Sequence, residues 1–168
     1  MTIQTINQID GSLIYEGEYK SIKEAVEYCI IQKINLSGAN LSYADLSYAY
    51  LSYADLSYAN LFGANLSYAN LSGADLSYAK YSILSLLKIN WNHLSNLLTL
   101  ELMQWDAISC SEEKMQSWAD GGNCPFDILN RDFYFKEKRE LWKPGKPIMN
   151  HRELFIALCK EKNIKISI

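Results

Sequence analysis

The candidate soft ligands in this sequence are His93, Cys110, Cys124, His151 and Cys159. Zinc sites draw on closely spaced ligand pairs, and none of these five stands at ligand spacing to another. The four cysteines (Cys29 with the three above) form no CxxC pair. They read as reduced, buried structural thiols of a cytoplasmic protein. No GxSxG is present, and the two histidines lie far apart with no motif around them, so nucleophilic catalysis has no support. The residues therefore assign no catalytic group, no metal and no cofactor. One basic stretch, Lys136-Glu137-Lys138-Arg139 with Lys143 and Lys146, has the charge to touch phosphate or an acidic partner. Its plainer role is a solvated face, or a basic end that complements an acidic body.

Composition narrows the classes. The chain has 168 residues, with 49% hydrophobic and 21% charged residues, enough to bury a core without disulfides. The formal charge of −3 counts against a nucleic-acid binder. It is uneven: residues 131–168 hold ten Lys/Arg against five Asp/Glu, and the remainder holds six against fourteen. No apolar run reaches the roughly 18 residues of a membrane span, and the start MTIQTINQID lacks a secretory pattern. A cytoplasmic protein with no membrane partner is expected.

The elements that must position these groups are dominated by a repeat. From Ile34 the chain reads INLSG ANLSY ADLSY AYLSY ADLSY ANLFG ANLSY ANLSG ADLSY AKYSI. Leucine recurs every five residues at Leu36, Leu41, Leu46, Leu51, Leu56, Leu61, Leu66, Leu71 and Leu76. A small residue precedes by two places at Ala39, Ala44, Ala49, Ala54, Ala59, Ala64, Ala69, Ala74 and Ala79. On a helix, five residues advance about 500°, which would scatter the leucines over every face. On an unbroken strand, an odd period sends successive leucines to opposite faces. Alanine and leucine two apart do share a face of a short extended piece. Such a piece followed by a corner, repeated, winds a solenoid with Leu and Ala inside and Asn/Asp, Ser and Tyr/Gly outside or at corners.

The tandem A(D/N)LSx units resemble the pentapeptide-repeat family. The resemblance covers residues 34–83 and implies a right-handed quadrilateral β-helix with four five-residue sides, 20 residues, per coil. Leu84–Lys88 and Ile89–His93 keep apolar residues at the inward positions (Leu84, Leu86; Ile89, Trp91) and would extend the solenoid to about three coils over 34–93. The alternative is a helix beginning near Leu84. An EGEY-like start and a WKPGKP-like end also occur in pentapeptide-repeat proteins of bacteria and phages whose function is not established, and no role follows from them.

A stack of coils has two raw ends that must be covered. Before the repeat, Ser21 and Glu24 form a capping box, and Ala25, Val26, Cys29 and Ile30 a helical stripe, so residues 22–32 form a helix over the first coil. Residues 13–19 read as a strand or hairpin arm. After the repeat, Leu97 to Ala107 suggest a helix of about three turns, Ser111-Glu112-Glu113 starts another that ends at Gly121-Gly122, and Asn150-x-x-Glu153 caps a third with the stripe Leu154, Phe155, Leu158 and Cys159. All four tryptophans lie beyond the last clear repeat. The expected fold is thus a β-solenoid, a short right-handed quadrilateral β-helix of about three coils. An N-terminal strand and capping helix (1–33) precede the solenoid (34–93), and a mainly α-helical C-terminal subdomain (94–168) follows.

The family's best-known activity is mimicry of B-DNA toward DNA gyrase. Three coils would rise roughly 14 Å. B-DNA carries one charge per about 1.7 Å, so a mimic of that length needs on the order of eight negative charges. The repeat offers Asp45, Asp55 and Asp75 against Lys80. With residues 20 apart stacked, Tyr48 pairs with Tyr68 and Tyr58 with Tyr78. These rings either form an aromatic platform for a partner or shield and rigidify the corners, and the second is the plainer role. Asp55 and Asp75 would also stack, inviting a cation or raised pKa values, although solvated acids are the plainer account. The expectation is a non-enzymatic structural or protein-interaction module. It would act as a rigid scaffold, monomer or weak dimer, with a protein partner and no nucleic acid. The alternatives are a gyrase/topoisomerase modulator of the quinolone-resistance type and a catalytic C-terminal subdomain on a solenoid scaffold.

Overall fold

A computed structural model of the chain describes residues 1–82, 86, 89, 91, 93–123 and 135–167. The chain divides into two compact units, one of residues 1–90 and 159–168 and one of residues 91–158.

The first unit begins with a hairpin, β1 (Thr2–Asn7) and β2 (Leu13–Tyr19), paired antiparallel with Thr2 opposite Tyr19 and a register shift between Ile6 and Asn7. Helix α1 (Ile22–Ile31) follows, its N-terminus closed by the Ser21 side chain, which accepts from the Glu24 N–H. Glu24 reaches back to the N–H of Lys20 at 3.0 Å. This satisfies donors that the first helical turn leaves free. Ala25, Val26 and Cys29 are buried along its inner stripe with Ile6 of β1.

The repeat then winds with a return every 20 residues. Parallel bridges join Asn40 to Asn60, Asp45 to Asn65, Tyr50 to Asn70, Asp55 to Asp75 and Asn60 to Lys80. In each wall the leucine N–H donates up to the next coil (Leu41 to Asn60 O, 2.9 Å) and the following coil's Asn/Asp N–H donates down (Asn60 to Ala39 O, 2.9 Å). This is a β-solenoid of very short walls. The walls stay short because the fifth residue of the units adopts a left-handed corner, with φ of 58–63° at Tyr43, Tyr48, Tyr53, Tyr58, Tyr68 and Tyr78 and 70–74° at Gly38, Gly63 and Gly73. Two extended residues between such corners are too few for a long strand. The Asn/Asp side chain stabilises the bend from within, its Oδ1 accepting the N–H two residues on at Asn35, Asn40, Asp45, Asp55, Asn60, Asn65, Asn70 and Asp75.

All nine repeat leucines are at most 2% exposed. Seven of the alanines are buried, whereas Ala44 and Ala79 are half-buried, a departure from the inward position expected of all nine. Ala44 belongs to the first coil and Ala79 to the last described one, so each lacks a neighbouring coil on one side.

Each edge of the stack is covered in part within this unit. Below, Gln8 bridges Ala39 antiparallel, Asn40 donates to Asn7 O at 2.7 Å, and the Tyr50 N–H, which has no coil beneath it, donates to Glu27 Oε1 of α1 at 2.8 Å. Above, β3 (Asp75–Leu76) pairs parallel with β4 (Lys165–Ile166). Among the described residues these hairpin and β3–β4 pairings are the two regular sheets. The choice between solenoid and helix over 84–93 falls mostly outside the described residues. Of that stretch Leu86, Ile89 and Trp91 are buried, and the Leu86 N–H donates to Ser82 O, four residues back.

The second unit is mainly helical. Helix α2 (Asn96–Cys110) starts at Ser95, and α3 (Glu112–Ala119) at Ser111, with Glu112 and Glu113 in its first turn. A 3-10 segment (Lys136–Leu141) precedes helix α4 (His151–Glu161). The capping box of α4 is reciprocal: Asn150 Oδ1 accepts from the N–H groups of Arg152 and Glu153, and Glu153 Oε2 accepts from that of Asn150 at 2.8 Å. The last residues of α4, from Cys159 on, belong to the first unit. Leu98, Leu102, Met103, Met115, Trp118, Phe135, Trp142, Leu154, Phe155 and Leu158 are buried. No described helix is long and apolar enough to cross a membrane.

Candidate interaction surface

The outward positions of the repeat follow from the same corners. A left-handed corner costs an L-residue on the order of 1–2 kcal/mol, yet six of the nine corners carry tyrosine. The compensation lies 20 residues away. Tyr48 stacks on Tyr68 with ring centroids 4.7 Å apart and planes at 21°, and Tyr58 on Tyr78 at 5.0 Å and 13°. Tyr48, Tyr58 and Tyr78 remain 57–66% exposed, while Tyr68 is half-buried. The two ladders are ten residues apart in a 20-residue coil, so they occupy opposite sides of the solenoid. They form two separate aromatic strips and not one platform.

The other two corners solve the same problem differently. A Cβ on Gly63 would lie 2.6 Å from the Tyr43 ring, and one on Gly73 would lie 2.5 Å from the Tyr53 ring. Each glycine therefore makes room for the tyrosine one coil earlier. Tyr43 also meets Phe62 edge-on at 5.9 Å. Tyr43, Tyr50, Tyr53 and Phe62 are exposed outer aromatics that the ladder reading passed over. The readable signal was glycine at 63 and 73, one 20-residue period beyond Tyr43 and Tyr53.

The acids do not behave as a bare carboxylate pair. Asp75 Oδ2 lies 3.1 Å from Lys165 Nζ. Partial burial pushes the Asp75 carboxyl up, but the Ser77 hydrogen bonds and Lys165 outweigh it and hold the group below the ordinary carboxylate value. The minor reading of raised values from a stacked pair is thus not met at Asp75, where a cation from β4 lies against the carboxylate. The Ser47 side chain and N–H, with the Asn65 amide, hold Asp45 low as well. A depressed folded pKa contributes stability above the unfolded value of about 4, lost as pH falls through the folded value. Asp75→Asn keeps the acceptor oxygen and removes the charge. The wild type should therefore exceed the variant in urea midpoint at pH 7, and the difference should vanish on titration below about pH 4. A gap unchanged at low pH would rule out the ion pair as its source.

Several of the remaining candidate groups are held by contacts within the fold. Lys138 Nζ donates to Leu94 O and to Thr99 Oγ1, and Arg139 lies over the Trp118 ring at 5.0 Å. Only Lys136, Lys143 and Lys146 of the basic stretch are left exposed. Buried Glu101 accepts from the N–H groups of Ile148 and Met149 at 3.0–3.2 Å, which fixes the segment before α4. His151 stacks on Trp105 with centroids 3.6 Å apart, and the Trp105 indole donates to Met149 O. His93 is exposed. Cys29 and Cys159 are buried and Cys110 half-buried, and Cys124 lies outside the described residues. Burial pushes the thiols of Cys29, Cys110 and Cys159 up, that of Cys159 to about 12. They stay protonated at neutral pH and are poor nucleophiles. Among the described residues no group of three His, Cys, Asp or Glu could hold a metal ion.

No curated protein and no solved structure matches the chain significantly. The model of the family described as Pentapeptide repeats matches residues 27–57 and 54–80, in eight copies. With the five-residue period, the buried Leu and Ala positions and the 20-residue return, this match identifies residues 27–80 as pentapeptide repeats.

Proposed function

We propose that the protein is a non-enzymatic repeat scaffold, a right-handed quadrilateral β-helix of about three coils that presents its side walls to a protein partner. The observation that carries this reading is the pair of exposed tyrosine ladders on a backbone bonded coil to coil. Aromatic rings already held in place lose little entropy on binding, which favours recognition through them. The described cover on part of each edge supports it further, since paired edges are less open to a partner than the side walls.

Replacing Tyr48, Tyr58, Tyr68 and Tyr78 by Ser tests the reading. The variant should keep the circular dichroism of the wild type and lose a partner that wild type captures from the source cell. Capture undiminished in a folded variant would remove the ladders from recognition. Mimicry of DNA is disfavoured because the Asn and Asp of the repeat perform one bend-forming role, and Lys165 meets one of only three carboxylates. The protein at micromolar concentration should leave gyrase supercoiling unchanged, and inhibition or protection there would reinstate the mimic.

A further inference from the structure

Residues 162–167 take up the place of one more pass of the solenoid wall, repeating two of its backbone bonds and making the third to a side-chain hydroxyl. Tyr53 N–H donates to Ser72 O at 3.0 Å, and one coil on, Gly73 N–H donates to Lys162 O at 2.9 Å. Asp75 N–H donates to Ala54 O at 2.9 Å, and Lys165 N–H to Ala74 O at 2.9 Å. Tyr58 N–H donates to Ser77 O at 2.8 Å, and Tyr78 N–H to Ser167 Oγ at 2.9 Å. The corner is reproduced too: Tyr53 and Gly73 have φ of 59° and 73°, and Asn163 has 54°. Ile164-Lys165-Ile166-Ser167 thus stands where Ala74-Asp75-Leu76-Ser77 stands one coil earlier. Ile164 fills the alanine place at 5% exposure, and Ile166 fills the leucine place half-buried. Lys165 replaces the Asn/Asp of the other units, and its ammonium answers Asp75.

The pass comes from a segment remote in sequence, holds two residues of regular strand and is laid on from outside. An edge that accepts such a segment in cis has the donors, acceptors and side-chain places to accept one in trans. We propose that the upper edge of the solenoid at Gly73–Tyr78 is a strand-addition site for an extended peptide. The site selects the pattern apolar, basic, apolar, small hydroxyl, and residues 162–167 are its resident, self-blocking ligand. The alanine-position pocket takes the first apolar residue, Asp75 takes the cation, and the Gly73, Ala74 and Tyr78 backbone fixes the register. This site uses the edge of the stack and stands independently of the tyrosine walls.

The test uses the full chain carrying Lys165→Pro, which removes the N–H that bonds Ala74 O, and in parallel Lys165→Glu, which keeps that N–H and opposes Asp75. The probe is the labelled peptide Lys-Asn-Ile-Lys-Ile-Ser, followed by fluorescence anisotropy. A resident strand lowers apparent affinity by the fraction of time the edge is open, so Lys165→Pro should bind at least about ten-fold tighter than wild type. Amide exchange should accelerate at Gly73 and Tyr78 in the variant while Asn60, Asn65 and Asn70 stay protected. A peptide with glutamate at the central basic place should bind Lys165→Pro about ten-fold more weakly, and Asp75→Lys in the same chain should reverse that preference. Equal or absent peptide binding by wild type and Lys165→Pro would overturn the site. So would loss of protection at Asn60, Asn65 and Asn70 in both variants, since the segment would then be an obligatory part of the fold. Binding indifferent to the central charge would overturn the role of Asp75.

Discussion

Leu56→Ala should destabilise the first unit by about 3–5 kcal/mol, near the top of the range for large-to-small core changes. Leu56 is fully buried and stands one coil from Leu36 and from Leu76 in register. The cost of such a change depends on how far the surroundings collapse into the void. Here collapse is blocked: Leu56 N–H is bonded to Asp75 O, and Asp75 N–H to Ala54 O, both at 2.9 Å, so the walls keep strand spacing whatever side chain lies between them. Ile166→Ala, at the half-buried equivalent place on β4, should cost only roughly 1 kcal/mol. Urea unfolding followed by circular dichroism checks both. The four tryptophans all lie at or beyond residue 91, so their fluorescence reports the second unit separately. A Leu56→Ala loss below about 1.5 kcal/mol would mean that the interior relaxes freely, against the rigidity argued for the coils.

Gly73→Val should cost roughly 2–4 kcal/mol from two separable sources. One is conformational, since a φ of +73° is a genuine outlier for a β-branched residue. The other is steric, since the new Cβ would meet the Tyr53 ring at 2.5 Å. Tyr53→Ala introduced with Gly73→Val should recover about 1 kcal/mol, the ring's share, and leave the backbone share in place. Gly121→Ala supplies the backbone contribution alone, because φ is +100° and nothing lies within 4 Å of its added Cβ. That change should cost about 1 kcal/mol. Full additivity of Gly73→Val and Tyr53→Ala in a thermodynamic cycle would disprove the contact between corner and ring.

Much of this molecule was readable before folding wherever the signal is local. The Leu and Ala series defines the interior because two residues of extended chain share a face, and that geometry needs no distant partner. Ser21 with Glu24, and Asn150 with Glu153, announce helix starts for the same reason. What escaped is tertiary. The two isoleucines of β1 stand three apart and so fall on opposite faces, Ile3 exposed and Ile6 buried, which leaves no apolar alternation to read, and its last residues are fixed by Asn40 of the first coil. Asn163 to Ser167 reads as a nondescript tail until Ala74 and Asp75 lie beneath it. At the surface, the 20-residue register places Tyr48 on Tyr68 and Tyr58 on Tyr78. Their opposed sides, and the glycines under Tyr43 and Tyr53, depend on following four corners at once. The pairing of Asp75 with Lys165 joins residues 90 apart in sequence, beyond any local pattern.

The two covers of the stack are attached to particular walls, the hairpin exit to the wall of Ala39 and Asn40 and β4 to the wall of Asp55 and Asp75. This makes the length of the solenoid a quantised quantity. Inserting 20 residues of repeat lifts the upper cover by one strand spacing, about 4.8 Å, and leaves it facing the same wall. Inserting five, though perfectly in keeping with the repeat, rotates the receiving wall by a quarter of a coil and presents β4 with the wrong edge. A repeat that looks extendable one unit at a time is, in the finished protein, extendable only by whole coils.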